Sequence, residues 1–416
     1  MKIALRSLFT VGLLFFCLIR GFGQDQPEIR LGFQMTPGFK RISVPFSLHN
    51  NLVVIKVILN DALPLSFILD TGVRTSILTD KTFTDLLNVN YSRKFIIRGA
   101  GGQKLVDAYV ANDVTLDIGG LVGHGHAMLV LEEDLLQLKS YLGRDVQGIL
   151  GYELFSRFIV DINYDRKIVT FHEPSIYTKK RKYTSIPITV EDTKPYITGV
   201  MNLGNGKELG VKLMVDTGAS HSLLLDKNSN ELITVPANHL DSNLGRGLAG
   251  DILGKIGRID GLRIDKYVFP NVIATYPDSA TYDLHGGRIL RNGSIGGGIL
   301  TRFRTVYDFA NSMLYVKKSA AHKKPFEYNL SGLIVNAKGL NLRDFEIIVV
   351  RPNSAAEKAG LEVNDKIIEV NGTKANDLNL DQLVGLLNAR NDKLVRVVVM
   401  RKGEKFYKKF RLERLI

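Results

Sequence analysis

The sequence predicts a mainly β protein made of two similar lobes, followed by a smaller unit that mixes strands and helix. Three observations lead there: part of the chain is repeated, the repeats consist of short apolar runs separated by turn residues, and the pattern changes near residue 325. The repeat shows in two places. Phe67-Ile68-Leu69-Asp70-Thr71-Gly72-Val73-Arg74-Thr75-Ser76-Ile77-Leu78 recurs as Leu213-Met214-Val215-Asp216-Thr217-Gly218-Ala219-Ser220-His221-Ser222-Leu223-Leu224. Gly148-Ile149-Leu150-Gly151 to Phe158 recurs as Gly293-Ser294-Ile295-Gly296 to Phe303. The offsets are 216 − 70 = 146 and 296 − 151 = 145, so both pairs keep step along the chain, as an internal duplication would.

Each repeat carries β-branched and aromatic runs bounded by Gly, Asn and Asp, such as Leu52 to Leu59, Lys167 to Phe171 and Met313 to Val316, which are strand signals. Short helices are expected at Lys81 to Leu87 and Leu131 to Leu138. Gly99-Ala100-Gly101-Gly102 and Gly245-Arg246-Gly247-Leu248-Ala249-Gly250 suit hairpin tips, because glycine adopts the positive φ that tight turns need. Lys317 to Lys324 reads as a linker. Beyond Phe326 come alternating strands, Ala355-Ala356-Glu357-Lys358-Ala359-Gly360, and a helical run from Leu380 to Ala389. The expected division is 1–23, 24–183, 184–320 and 325–416.

A chain of 416 residues is too long for one ordinary core. Its net charge of +13 is dispersed, with clusters only at Lys179-Lys180-Arg181-Lys182 and from Arg401 to Arg414, so it reads as solvated faces and linkers and not as a nucleic-acid site. Met1-Lys2-Ile3-Ala4-Leu5-Arg6, the apolar run Leu8 to Ile19, then Gly21 and Gly23 form a signal-peptide pattern. The run is shorter than the roughly 20 residues of a membrane span. Export to a bacterial periplasm or beyond the cell is therefore expected, with no stable membrane span after cleavage. The single cysteine, Cys17, lies within that segment, so the mature chain would have neither disulfides nor thiolate chemistry.

Asp70 and Asp216 each follow an apolar strand and open an Asp-Thr-Gly turn. A buried, unpaired carboxylate is costly, and a lobe gains no stability from it. Two lobes that face each other supply a reason: like charges in contact share one proton, so one carboxylate serves as base toward a water while the other polarises a carbonyl. Such a pair needs no metal and no cofactor. Thr71 and Thr217 would lock the turns, and Gly72 and Gly218 would bring backbone N–H groups close.

The paired turns, closed by Leu150-Gly151 and Ile295-Gly296, resemble the pepsin and retropepsin class of aspartic peptidases from roughly Ile42 to Val316. The resemblance implies a bilobal, pseudo-two-fold fold of two acid-protease β-barrel lobes, and endopeptidase action on a peptide or protein substrate. It implies catalysis by Asp70 and Asp216, support from Thr71, Gly72, Thr217, Gly218 and Ser220, and glycine-tipped flaps at Gly101, Gly102, Gly247 and Gly250. The alternative is a catalytically silent peptide-binding protein of the same fold. The chain departs from the class in three places: Val73-Arg74 stands where the second lobe has Ala219-Ser220, Ser294 stands where the first has Ile149, and no flap tyrosine is evident. Arg74 either meets substrate or forms a structural ion pair.

The tail, from Tyr328-Asn329-Leu330-Ser331-Gly332-Leu333-Ile334-Val335 through Pro352 to Gly372, resembles a bacterial-type α+β PDZ domain. That resemblance implies a C-terminal peptide ligand added beside a helix, its carboxylate met by the N–H groups of Gly332, Leu333 and Ile334, with Leu380 and Val384 lining the helix side. A docked module that binds nothing is the alternative. Gly245 to Gly250 spells G-x-G-x-x-G, but strand and turn residues follow it, not a helix. His124 and His126 lack accompanying metal ligands and read as loop histidines. Ser294 lacks a serine-hydrolase elbow.

Overall fold

The computed structural model describes residues 31–98, 101, 105–204, 206–281 and 290–416. The expected signal segment and Gly102 lie outside them. Strand Arg41–His49 alternates exposed and buried residues, the period of a sheet with one wet face. It pairs with Leu52–Leu59, and the chain then enters β1 (Leu63–Leu69), whose last five residues are all buried and deliver Asp70. β2 (Tyr91–Arg98) and β3 (Leu105–Asp117) form the first glycine-tipped hairpin. β4 (Leu121–Leu131), helix α1 (Leu138–Leu142) and β5 (Gly148–Leu150) complete the lobe's inner part.

Three expectations need correction here. The helix foreseen at Leu131 to Leu138 begins only at Leu138. Leu131 is still a buried strand residue, and Asp134 Oδ1 accepts the Gln137 N–H at 2.9 Å while Gln137 turns left-handed (φ 50°), which breaks helical continuity upstream. His124 and His126 are not loop histidines but members of β4. His126 is buried, with Nδ1 2.8 Å from Glu153 Oε2 and its ring 4.3 Å from that of Phe33. At Lys81 to Leu87 only Thr82–Asp85 is helical.

The second lobe repeats the plan with β6 (Glu208–Val215), a hairpin of β7 (His239–Gly247) and β8 (Gly250–Ile264), and β9 (Gly293–Ile295). In each lobe the late strand threads behind the Asp-Thr-Gly turn. β5 runs parallel to β1 and antiparallel to Ile77–Leu78; β9 runs parallel to β6 and antiparallel to Leu223–Leu225. The lobes are joined where Ile159–Asn163 pairs antiparallel with Phe303–Asp308. Asp161 faces Val306 there, and 306 − 161 = 145 is the offset of the repeat, so equivalent residues meet at a local two-fold axis. A continuous apolar core runs through both lobes.

The tail contains β10 (Leu333–Lys338), β11 (Asp344–Val350) and helix α2 (Leu380–Leu387), with its own core. β10 is an edge strand of its sheet. Residues 32–416 nevertheless pack as one compact unit. The stretch foreseen as a linker is tied down: Arg302 donates to the carbonyls of Lys324 and Pro325, the His322 ring lies 5.1 Å from Phe303, and Phe326 joins the main core. Its lysines face out while its rings turn in. No helix among the described residues is long and apolar enough to cross a membrane.

Candidate active site

The threading strands place both turns. Asp70 N–H donates to Leu150 O at 2.8 Å and Asp216 N–H to Ile295 O at 2.9 Å. The turns then lock across the two-fold axis. Thr71 N–H donates to Thr217 Oγ1 and Thr217 N–H to Thr71 Oγ1, both at 3.0 Å, while Thr71 Oγ1 donates to Val215 O at 2.6 Å and Thr217 Oγ1 to Leu69 O at 2.8 Å. Both threonines are buried, so each hydroxyl satisfies groups that water cannot reach. Removing one, as in Thr71→Val, strands a carbonyl and an N–H. We expect a loss of about 2–5 kcal/mol in unfolding free energy, read by urea denaturation, and near-complete retention in Thr71→Ser.

This lattice brings Asp70 and Asp216 together: a Cβ on Gly72 would stand 3.1 Å from Asp70 Oδ1 and 3.2 Å from Asp216 Oδ1. Gly72 N–H donates to Asp70 Oδ1 at 2.6 Å and Gly218 N–H to Asp216 Oδ1 at 3.0 Å. Burial, and next the adjoining Asp216 charge, push Asp70 well above the usual carboxylate range. Burial raises Asp216 too, but the positive charge of Arg291, the Gly218 N–H, the Asp70 bond and Lys194 oppose it. Two carboxyl groups so placed hold one proton more firmly than an isolated one and titrate as a unit.

Ser220 supports the second turn through its carbonyl, which accepts from Asn51 Nδ2 of the first lobe at 3.0 Å. Ser294 replaces an apolar residue because His221 reaches it, Nε2 to Oγ at 3.0 Å, and burial pushes that imidazole down to about 4. Arg74 lies at the surface, 3.3 Å from Asp192 Oδ1 in an exposed ion pair. Asn51, Lys194, His221 and Arg291 were not singled out from sequence. Only His221 had a signal, its place inside the duplicated motif.

The tips of the two hairpins meet. Gly101 (φ 106°) lies against Gly250 (φ 134°) so closely that a Cβ on Gly101 would stand 2.0 Å from Gly250 O. Gly101 N–H donates to Thr281 O at 2.7 Å. Gly247 pairs with Gly250 to close the second tip, whose Leu248 packs among Val73, Val106 and Leu131 of the first lobe.

In the tail, the chain's own segment 138–143 touches both walls of the groove. α1 packs against β10, and Gly143 sits under Leu380, where a Cβ would come within 2.6 Å of Leu380 Cβ. His49 Nδ1 and Asp381 Oδ2 are 2.5 Å apart beside it. Leu380 is thus buried, while Val384 is exposed. The expected carboxylate donors need correction: Gly332 N–H is spent on Asn329 O and Oδ1 at 3.1 and 3.0 Å, and Leu333 N–H on Ser331 Oγ at 3.3 Å. Asn329 adopts positive φ and its short amide reaches back over the turn, which uses up these groups.

Duplicated β lobes that join a buried and a half-buried carboxyl group through interlocked Asp-Thr-Gly turns define an aspartic-type site. A family model described as aspartyl protease matches residues 55–154 and 200–300, and a PDZ domain model matches 346–401. The chain thus carries an aspartyl protease domain followed by a C-terminal PDZ domain. No curated protein in the comparison matches it.

Proposed function

We propose that the chain is an aspartic endopeptidase that hydrolyses peptide bonds with a water activated between Asp70 and Asp216. The observation that carries this reading is the pair of interlocked Asp-Thr-Gly turns, which sets the Asp70 and Asp216 carboxyl groups side by side over Gly72. Asp216, nearer to positive charge, takes a proton from the water. Protonated Asp70 donates to the carbonyl oxygen as the water oxygen bonds to the carbonyl carbon. Collapse of that adduct breaks the C–N bond: the proton taken by Asp216 passes to the leaving amine, and one hydroxyl of the adduct returns a proton to Asp70 as the product carbonyl forms. The two flaps close over an extended substrate.

Purified protein should cut a random peptide mixture, with new termini seen by mass spectrometry, and Asp70→Asn and Asp216→Asn should not. Wild type that cuts nothing, or either variant cutting normally, overturns the reading. The N-terminal pattern supports export to the periplasm or outside the cell after removal of residues 1–23.

The PDZ domain, in the same reading, takes a peptide C-terminus along β10 once segment 138–143 yields. A groove covered by its own chain binds with its intrinsic affinity reduced by the open fraction. Asp381→Asn weakens the contact with His49, and should tighten binding of an apolar-ended peptide by roughly tenfold in a polarisation assay. Unchanged affinity counts against the covered groove.

A further inference from the structure

The second flap is held from outside by the PDZ domain. β7 is the last strand of its sheet, so β8 alone pairs with it there. Arg351, directly after β11, reaches the flap's root. It is 4% exposed; Nη1 donates to Asp241 O at 3.0 Å, and Nη2 donates to Ser242 Oγ at 2.7 Å and Tyr328 OH at 2.6 Å. Its guanidinium also lies 5.2 Å from the Tyr328 ring centroid.

A guanidinium is costly to bury, and here every hydrogen-bond partner of its side chain is neutral, since the Asp241 carboxylate is engaged by Lys255 at 2.5 Å. A cation needed only for solubility would stay in water. The backbone of the same residue carries a second link: Arg351 N–H donates at 2.8 Å to Gly332 O, in the turn at the mouth of the PDZ groove. At the other end of β7, Arg246 Nε donates to Leu135 O of the first lobe at 2.8 Å. The flap is therefore fastened near its tip by one lobe and at its root by the PDZ domain.

We propose that Arg351 is a positioning residue for peptide cleavage: it sets how firmly the second flap closes on substrate, and it joins the turn before the PDZ groove to that flap. The inference rests on the peptidase reading. Arg351 touches no reacting atom, so its loss acts on substrate capture more than on chemistry.

In the full chain, Arg351→Met should raise KM by about fivefold or more and leave kcat within about twofold. Amide exchange over 239–254 should speed by about tenfold, while 63–69 and 208–215 stay unchanged. Arg351→Lys should fall between, because an ammonium cannot reproduce the planar fork. An Arg351→Met protein with unchanged KM and unchanged flap exchange overturns the proposal, as does a fall in kcat at constant KM. Should Arg351→Met fail to fold, Ser242→Ala decides: it removes the Ser242 Oγ bonds to Arg351, Tyr328 and Asn243 O but leaves the Arg351 bond to Asp241 O, and the same shifts, smaller, are expected, their absence being fatal. Wild type without peptidase activity would sink the catalytic reading, and flap exchange would then decide by itself whether Arg351 holds β7.

Discussion

Asp70→Asn is expected to lower cleavage by about 10³-fold or more and, at neutral pH, to make the protein more stable. The activity loss follows from removing one of the two carboxyl groups that the proposed reaction uses. The stability gain follows from the direction of its shift. The ordinary value is 3.8, and in the fold Asp70 holds its proton well above that, because burial and the Asp216 charge disfavour ionisation. Below 3.8 both folded and unfolded chains are protonated there, and nothing is lost. As pH rises through the window above 3.8 the unfolded chain releases the proton first, so the folded state loses stability until its own raised value is passed. Asparagine does not titrate. The gain in Asp70→Asn should therefore be absent near pH 3 and present near pH 7, as read by thermal unfolding at both. Asp216→Asn should show the same sign but a smaller gain, because Arg291 and Lys194 already offset its burial. Equal gains at both pH values in Asp70→Asn would refute a raised proton affinity at Asp70 in the folded protein. The alkaline limb of the activity profile should likewise lie above the ordinary carboxylate range, since it reports loss of that same proton.

Much of this was legible because duplication leaves a ruler in the chain. The common offset of the Asp-Thr-Gly turns and the threading segments implied the two-fold relation, and the pairing of Asp161 with Val306 at that same offset puts the axis through the interlobe sheet. Strand Leu52–Leu59 was readable to the residue, since its composition and its burial agree. What was hidden depends on distance through space. Arg291 and Lys194 bias one carboxylate from separate segments and carry no motif. His221 and Ser294 compensate each other, so Ser294 alone looked like a defect. The polar run near residue 320 looked like a linker because charge was visible, whereas the packing of His322 and Phe326 was not. The covering of Leu380 by Gly143 required knowing that two elements 237 positions apart (380 − 143 = 237) meet.

Gly218→Ala and Gly72→Ala look interchangeable in the sequence, yet their effects are expected to differ widely. Neither glycine adopts the left-handed region, so the difference is one of space and not of backbone freedom. A Cβ on Gly218 would stand 2.1 Å from both Asp70 Cγ and Oδ2, whereas one on Gly72 would stand 3.1 Å from Asp70 Oδ1 and 3.2 Å from Asp216 Oδ1. The first cannot be accommodated unless the two carboxyl groups separate; the second needs a shift of a few tenths of an ångström. A displacement of about 1 Å at a reacting centre costs on the order of 10²-fold in rate, and overpacking adds about 1–3 kcal/mol of instability. Gly218→Ala should thus be nearly inactive and destabilised, and Gly72→Ala only moderately slowed. A double variant isolates the cause. In an Asp70→Ala background the group that Gly218→Ala collides with is gone, so the stability cost of Gly218→Ala should largely vanish there, while a cost arising elsewhere in the turn would persist and add. Similar losses in the two single variants would mean that the carboxyl pair sits symmetrically over its turns, and the unequal closeness of Asp70 to Gly218 would then not be a property of the folded protein.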